Sequence, residues 1–351
     1  MKKLLIASAV AAVVVAPAAQ AAVDISGQVN VAALFSGAAD DLTVVDNNTT
    51  GSRFRIKAKK KFGNGLSIGT RFELQAQFAQ SNDPDQIGNN SGNADPISST
   101  NADGEPNDNF GPTAVREVRY ADVWIAGSFG KVGIGRGDGA ANGTSESYGL
   151  LNFLGGAEAH LLFNGLGADF SDIDGLSRQN RVRYDSPKFG GFSFAVSLDE
   201  QNEDEFSGQF NGKVGGGKLR ARFGVTSGDT QDTTDFSVAY KFPFGLGLAY
   251  STGDSENAVG ITTSENDWFM VSYDFGPKFV ISAGFGEEDE RDGSTGAIAG
   301  DGTNELNIFS LVWKPVKGAE VYLNYGDWEN DVISNDNDDN NAFGLGGRVK
   351  F

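Results

Sequence analysis

The stretch DFSVAYKFPFG, Asp235 to Gly245, carries two signals at once. Phe236, Val238, Tyr240 and Phe242 fall on one side of a two-residue repeat, and Ser237, Ala239 and Lys241 fall on the other. A helix, with a period of about 3.6 residues, would mix these two sets, whereas a strand keeps them on opposite faces. The run then ends in a proline and glycine turn flanked by two phenylalanines, the composition at which strands reverse.

The same sorting holds along the chain. Ile25, Gly27, Val29, Val31, Ala33 and Phe35 alternate with Ser26, Gln28, Asn30 and Ala32. Phe72, Leu74, Ala76 and Phe78 alternate with Arg71, Glu73, Gln75 and Gln77, and Phe192, Phe194, Val196 and Leu198 with Ser193, Ala195 and Ser197. Phe269, Val271, Tyr273 and Phe275 repeat it against Trp268, Met270, Ser272 and Asp274. One such strand would suit a soluble sandwich. The turns decide otherwise: KFGNG at 61–65, SFGK at 128–131, KFGG at 188–191 and DFGPKF at 274–279 are tight, glycine-containing and next to Phe, while the connections between them read as long and acidic.

Short turns on one rim, long loops on the other and an aromatic at each short turn predict an all-β, antiparallel transmembrane barrel. Strands are expected to start near residues 24, 52, 66, 115, 131, 180, 191, 205, 217, 234, 246, 267, 279, 305, 320 and 342, which makes sixteen. About ten residues suffice for a tilted strand to cross a bilayer. Closure would pair every backbone N–H and C=O away from lipid.

The ends and the composition agree with export to an outer membrane. Met1, Lys2 and Lys3 precede an apolar stretch from Leu4 to Pro17, too short to span a bilayer, and then Ala19-Gln20-Ala21. This reads as a signal peptide over residues 1–21, leaving a barrel over 22–351. Without Lys2 and Lys3 the mature formal charge is 26 − 47 = −21, which argues against nucleic acid as a partner and predicts a preference for cations. The chain has no Cys, so disulfides, thiol catalysis and thiolate metal sites are excluded. A mean hydropathy of −0.29 fits a barrel with one wet face as well as it fits a soluble protein.

The last ten residues, AFGLGGRVKF, place Phe343, Leu345, Val349 and Phe351 on one face and Arg348 and Lys350 on the other. This resembles the C-terminal insertion signal of outer-membrane barrels, carried here by Val349 and Phe351. SRFRIKAKKKFGNGL at 52–66, SFGKVGIGRGDG at 128–139 and NRVRYDSPKFGGFSF at 180–194 resemble the Gram-negative general porins. The resemblance implies a sixteen-stranded barrel, usually trimeric, in contact with outer-membrane lipid and lipopolysaccharide, whose third loop folds inward and narrows a channel for ions and small hydrophilic solutes. Residues 139–179 are the natural third loop. Their apolar part, LLNFLGGAEAHLLF, calls for burial against the inner wall, as a short helix there would provide.

Function is expected from charge rather than chemistry. Arg53, Arg55, Lys57 and Lys59 share the wet parity of one strand, as do Arg71, the pair Arg181 and Arg183, and the pair Arg220 and Arg222 on others. Arg136 breaks the strict alternation counted from Val132 and Ile134, but matches a position at which the family places an inward arginine, reachable through a bulge at Gly135. By the same resemblance Arg53 and one of Arg181 or Arg183 belong to the constriction. Glu158, Asp169, Asp172 and Asp174 are the candidate acids of the loop, and cations facing them would set a transverse field. Glu287 to Glu290 and the stretch 335–341 are expected in outer loops, where they offer at most a weak Ca²⁺ or Mg²⁺ site. No other cofactor is expected.

His160 is the single histidine, and no serine or third group is spaced to make a catalytic set with it, so no enzyme is expected. The rival readings are a channel for a particular oligosaccharide or phosphate and a structural or adhesive barrel. Tyr120, Trp124 and Trp268 are the aromatics that a sugar channel would place inward.

Overall fold

The computed structural model describes residues 22–36, 42–77, 79, 81, 115–151, 160–163, 168, 173–229, 231–257, 259–291, 298–330 and 340–351. The expected signal segment, residues 1–21, lies outside them. Strand segments in chain order are β1 (Ala22–Ser36), β2 (Leu42–Asp46), β3 (Arg53–Lys61), β4 (Ser67–Gln77), β5 (Val115–Gly127), β6 (Gly130–Asp138), β7 (Arg178–Asp185), β8 (Phe192–Asp199) and β9 (Asp204–Val214). They continue with β10 (Gly217–Ser227), β11 (Gln231–Lys241), β12 (Leu246–Asn257), β13 (Thr262–Phe275), β14 (Phe279–Arg291), β15 (Ile298–Trp313), β16 (Ala319–Asn330) and β17 (Asn340–Lys350).

Neighbours in sequence pair antiparallel around a closed sheet, and β17 returns to β1 with Lys350 opposite Gln28 and Ala342 opposite Ser36. Seventeen segments make sixteen staves, because β2 and β3 are one strand interrupted. Both pair with β1, β2 through Val31 to Phe35 and β3 through Ala22 to Gln28. The second stave therefore begins at Leu42, ten residues before the expected start. Its run of turn-forming residues, Asn47 to Ser52, leaves the wall in a short 3-10 turn over Asn48–Thr50 and then rejoins it.

The alternation faces the way the sequence implied. Phe54, Phe72, Phe192, Phe236, Phe269, Phe285, Phe309 and Phe343 are all exposed on the outer surface, and the serines, glycines and charges between them point in. Apolar side chains left open around a whole barrel belong against hydrocarbon. Both ends of the described chain sit on the short-turn rim, where Gly27 N–H donates to Phe351 O at 2.8 Å and Phe351 N–H to Gly27 O at 3.1 Å. Val349 and Phe351 lie exposed on the outer face.

The other rim is less uniform than expected. Residues 78–114 and 139–177 are long connections, but 200–203, 228–230 and 258–261 are tight. Strands run further there than their composition suggested, β13 starting at Thr262 and β15 at Ile298. Glu287, Glu288 and Asp289 consequently stand in β14, paired with Asp267, Asn266 and Glu265, and not in a loop. Of the acidic stretch 335–341, only Asn340 and Asn341 are described, at the start of β17.

Candidate functional site

The inner wall of β3 to β7 is where the basic ladder gathers. Arg53 and Arg55 on β3 and Arg71 on β4 are carried inward by the strand repeat, and register sets Arg55 opposite Glu73 and Lys57 opposite Arg71. Arg119 joins them through a bulge. The β4–β5 register shifts between Glu73 and Leu74, whose partners are Tyr120 and Val118. An extra residue in one strand breaks the alternation locally, so Arg119 and Tyr120 both turn to the lumen.

All four guanidinium groups converge on Glu73, whose side chain is wholly buried. Its carboxylate lies 3.5 Å from Arg53, 2.8 Å from Arg71 and 3.2 Å from Arg119, with Arg55 also in direct contact. One negative charge against four positive ones leaves a strongly cationic patch. Arg71 is further held flat over Tyr120, its central carbon 3.2 Å from the ring centroid, a cation–π arrangement. The Lys59 ammonium stands 5.3 Å from the ring centroid of Trp124.

The two arginines of β7 separate clearly. Arg181 is 6 % exposed and spends its donors on the wall, to Asp138 O at 2.8 Å, Gly135 O at 3.2 Å and the Asp122 carboxylate at 3.2 Å. Arg183 keeps more exposure, ion-pairs with Asp185 at 2.9 Å and donates to Asp138 O and Gly139 O. Both brace the place where the chain leaves the wall after β6. Arg220 and Arg222 keep inward parity on β10, and Arg222 donates to Gly143 O.

Arg136 is a correction. It pairs with Ala121 and Asn180 and shares the outward parity of Ile134, and its guanidinium donates to Val118 O at 2.7 Å and to Glu117 at 3.1 Å. Gly135 does adopt a left-handed φ of 121°. It nevertheless stays in register with both Asp122 and Arg181, so no residue is inserted and the alternation is not rotated.

The described parts of residues 139–179 lie against the inner wall at two places. At the first, Ala141 N–H and Leu176 N–H donate to the Glu205 carboxylate of β9 at 3.2 and 2.6 Å, and Thr144 Oγ1 donates to Asp235 of β11 at 2.7 Å. Ser147 N–H donates to Ser237 Oγ at 3.1 Å. Asp174 accepts from Gly143 N–H and Ser145 Oγ, both at 2.9 Å, and so ties the segment to itself. Glu158, Asp169 and Asp172 lie outside the described residues.

At the second place the segment is apolar. Leu151, Leu162 and Phe163 are fully buried in a cluster with Leu34, Val45, Trp268, Met270, Leu306, Ile308, Tyr322 and Trp328. Leu162 and Phe163 come from the short helix His160–Phe163, and Phe163 stacks on Trp328 with ring centroids 5.9 Å apart. Each side chain sits over a glycine of the wall, Leu151 over Gly247, Leu162 over Gly344 and Phe163 over Gly326. The Asn47–Ser52 excursion enters from the adjoining wall. Tyr322 OH accepts from Asn47 at 2.9 Å and donates to Asn30 at 2.8 Å, and Arg348 donates to Thr50 Oγ1 at 3.0 Å.

Among the described residues the interior is thus divided, with one wall covered by apolar packing and the basic wall uncovered. A recess of about 540 Å³ is lined there by Lys57, Lys59, Arg71, Tyr120, Trp124 and Lys131. Trp268, grouped with Tyr120 and Trp124 in the sequence, is instead buried in the apolar cluster. Glu73 and Arg119 are the central residues that sequence reasoning did not single out.

Comparison with known proteins gives one consistent result. A family profile described as Gram-negative porin matches residues 7–348. The fold is similar to that of the anion-selective porin from Comamonas acidovorans, with a TM-score of 0.63 at 17 % identity over 95 % of this chain and 100 % of that one. It is also similar to the outer membrane channel DcaP of Acinetobacter baumannii, with a TM-score of 0.62 at 13 % identity over 96 % and 99 %, and to the outer membrane protein OmpT of Vibrio cholerae, with 0.60 at 15 % over 96 % and 100 %. OmpT is also described in a trimer form. A chitoporin of Vibrio furnissii is 49 % identical over 49 residues, which span 12 % of this chain and 13 % of that protein.

Proposed function

This chain belongs to the Gram-negative porin family, and from that premise we propose that it forms a passive, water-filled channel for ions and small hydrophilic solutes across the outer membrane. The observation that carries the reading is the division of the barrel, greasy outside and charged inside, with an open basic wall facing a segment folded into the lumen. Cations fixed on a low-dielectric wall order water and favour polar solutes over apolar ones. No bond is made or broken in such a passage, and no catalytic role is assigned to any residue.

A general pore fits better than a channel dedicated to sugars. Stacking sites for successive sugar rings would need a row of aromatics along the water path, and among the described residues Tyr120 and Trp124 are the aromatics that line the recess. The folded segment is proposed to narrow the lumen between the basic wall and the apolar one. Homotrimers are proposed from the family and from the continuous apolar outer face.

Planar bilayers test the reading directly. Purified protein is expected to give stepwise conductance increments, reduced progressively by neutral sugars small enough to enter and unaffected by larger ones. An adhesive or plugged barrel would give no steps over repeated insertions, which would remove the channel assignment. A sharp response to one oligosaccharide alone would favour the dedicated channel.

Val349 and Phe351 are proposed as the insertion signal, on the strength of their exposed outward placement beside the short-turn rim. Deletion of Phe351 alone is expected to lower the yield of membrane-inserted barrel several-fold in cells while leaving refolding into detergent largely intact. Equal yields in the membrane fraction would count against that role.

A further inference from the structure

The chain carries a formal charge of −19, yet part of its negative charge lies on the outer face. Asp267, Glu287, Glu305 and Glu329 stand opposite one another in register across β13 to β16, and all four are exposed on the outer face, in line with Phe269, Phe285 and Phe309. They add to the net charge and not to the charge of the lumen. Net charge therefore does not by itself set the charge of the lumen.

Among the described residues, the carboxylates nearest the basic wall are ion-paired, while Glu205, Asp235 and Glu288 elsewhere inside accept hydrogen bonds. Glu73 is shared by four arginines, Asp122 is paired with Arg181, Asp185 with Arg183, Asp274 with Lys241 and Glu320 with Arg348. Lys57 and Lys59 differ. They alternate inward on β3, they are exposed to the lumen, and neither has an ion-pair partner among the described residues. Asp24 faces Lys57 in register without forming an ion pair. Residues two apart on a strand are separated by roughly 7 Å, close enough for two ammonium groups to hold one multivalent anion between them. The Lys59 ammonium lies over the Trp124 ring, and Arg71 and Lys131 line the same recess. The three carboxylates of the recess, Asp122, Asp138 and Asp185, are each ion-paired already, with Arg181, Arg178 and Arg183 respectively.

We propose that the pore prefers anions, and that Lys57 and Lys59 with Trp124 form a station on its wall for small multivalent anions such as phosphates and di- or tricarboxylates. The proposal rests on the channel reading. A multivalent anion gains from two unpaired ammonium groups in a recess partly screened from bulk water, while a chloride ion gains less and passes. The station is a place of transient binding on the route, so it would slow multivalent anions at high concentration and gather them at low concentration.

The experiment uses the full barrel in a planar bilayer under a KCl gradient, with pyrophosphate as the probe. The reversal potential is expected to have the sign of chloride preference, and millimolar pyrophosphate is expected to reduce the chloride current in a saturable way. In the double variant K57Q/K59Q the block should weaken about tenfold or more and the reversal potential should move toward cations. K57R/K59R should keep both properties, since it keeps the charge. Among the described residues neither lysine has an ion pair to lose, and the Lys59–Trp124 contact is the interaction of charge that K57Q/K59Q removes, so unfolding of both variants should stay close to the parent and serves as the control for folding.

A parent channel that prefers potassium would overturn the proposal. So would a double glutamine variant that retains both the selectivity and the block. Block that disappears in K57R/K59R as well would show packing, not charge, and would also count against it. Absence of any conductance in the parent would defeat the channel reading itself, an outcome distinct from all of these.

Discussion

Replacing Glu73 by glutamine is expected to destabilise the barrel by about 3 kcal/mol, the scale on which removal of one partner from a buried ion pair acts. The side chain is completely buried, and the four arginines on it are between 13 % and 27 % exposed, so water only partly takes over the lost charge. Glutamine keeps the shape and one accepting oxygen, while its amide nitrogen cannot accept from the arginines that the second carboxylate oxygen served. Four guanidinium groups would then repel one another across the β3–β4–β5 sheet with nothing between them. The measurement is the denaturant midpoint of the folded barrel, monitored by tryptophan fluorescence.

Adding Arg119→Gln to Glu73→Gln should recover part of the loss, because it removes one of the repelling charges. Non-additivity of that kind identifies a shared network. An unchanged midpoint in the single variant would mean that the arginines are individually solvated and that Glu73 does not organise them. The same variant should also raise anion preference, since the guanidinium groups lose their one carboxylate and add to the positive wall.

Part of that cluster was legible before any coordinates. The KFGNG turn sets the β3–β4 register, and counting outward from it places Arg55 against Glu73 and Lys57 against Arg71. The strand repeat had already put Glu73 on the wet face with Arg71. Arg119 was not legible, because a bulge depends on how β5 meets β4 and leaves no mark in the two-residue pattern. The reverse error occurred at Arg136, where the resemblance called for an inward arginine and Gly135 offered a bulge to turn it, but the paired register contains none.

The second stave shows a related limit. Leu42 to Asp46 pair with β1, but Asn47 to Ser52 read as a loop, and the sequence offers no sign that the chain returns to the same stave afterwards. Alternation reports which face a residue takes and says little about which partner it takes. That is also why Glu287 to Glu290 of β14 looked like loop residues. On the outer face of a strand, beyond the apolar band, a carboxylate is as well solvated as in a loop, so composition alone does not separate the two.

Gly326→Val is expected to turn a steady pore into a fluctuating one. A Cβ built at Gly326 would come within 2.6 Å of Phe163 Cδ2, and one at Gly344 within 2.7 Å of Leu162 Cδ2, so neither seat has room for a side chain. The wall strands are fixed by ladders on both sides, β16 between β15 and β17. Among the described residues the segment meets Gly326 and Gly344 through side-chain packing and not through a backbone ladder, so the segment is what should move. Overpacking of a filled site costs about 1–3 kcal/mol, enough to change a seated segment from almost always docked to docked only part of the time. Recordings should then show open-state current jumping between levels, with the parent flat under the same voltage. Truncation from the other side, Phe163→Ala, should loosen the same contact by removing the ring that stacks on Trp328 and should also add noise. The decisive comparison is the pair Gly326→Ala with Phe163→Leu, in which the added methyl group is offset by a smaller partner. If the glycine is a socket, the double variant will be quieter than Gly326→Ala alone; if its noise is the sum of the two single variants, the glycine and the phenylalanine act independently and the docking is held elsewhere.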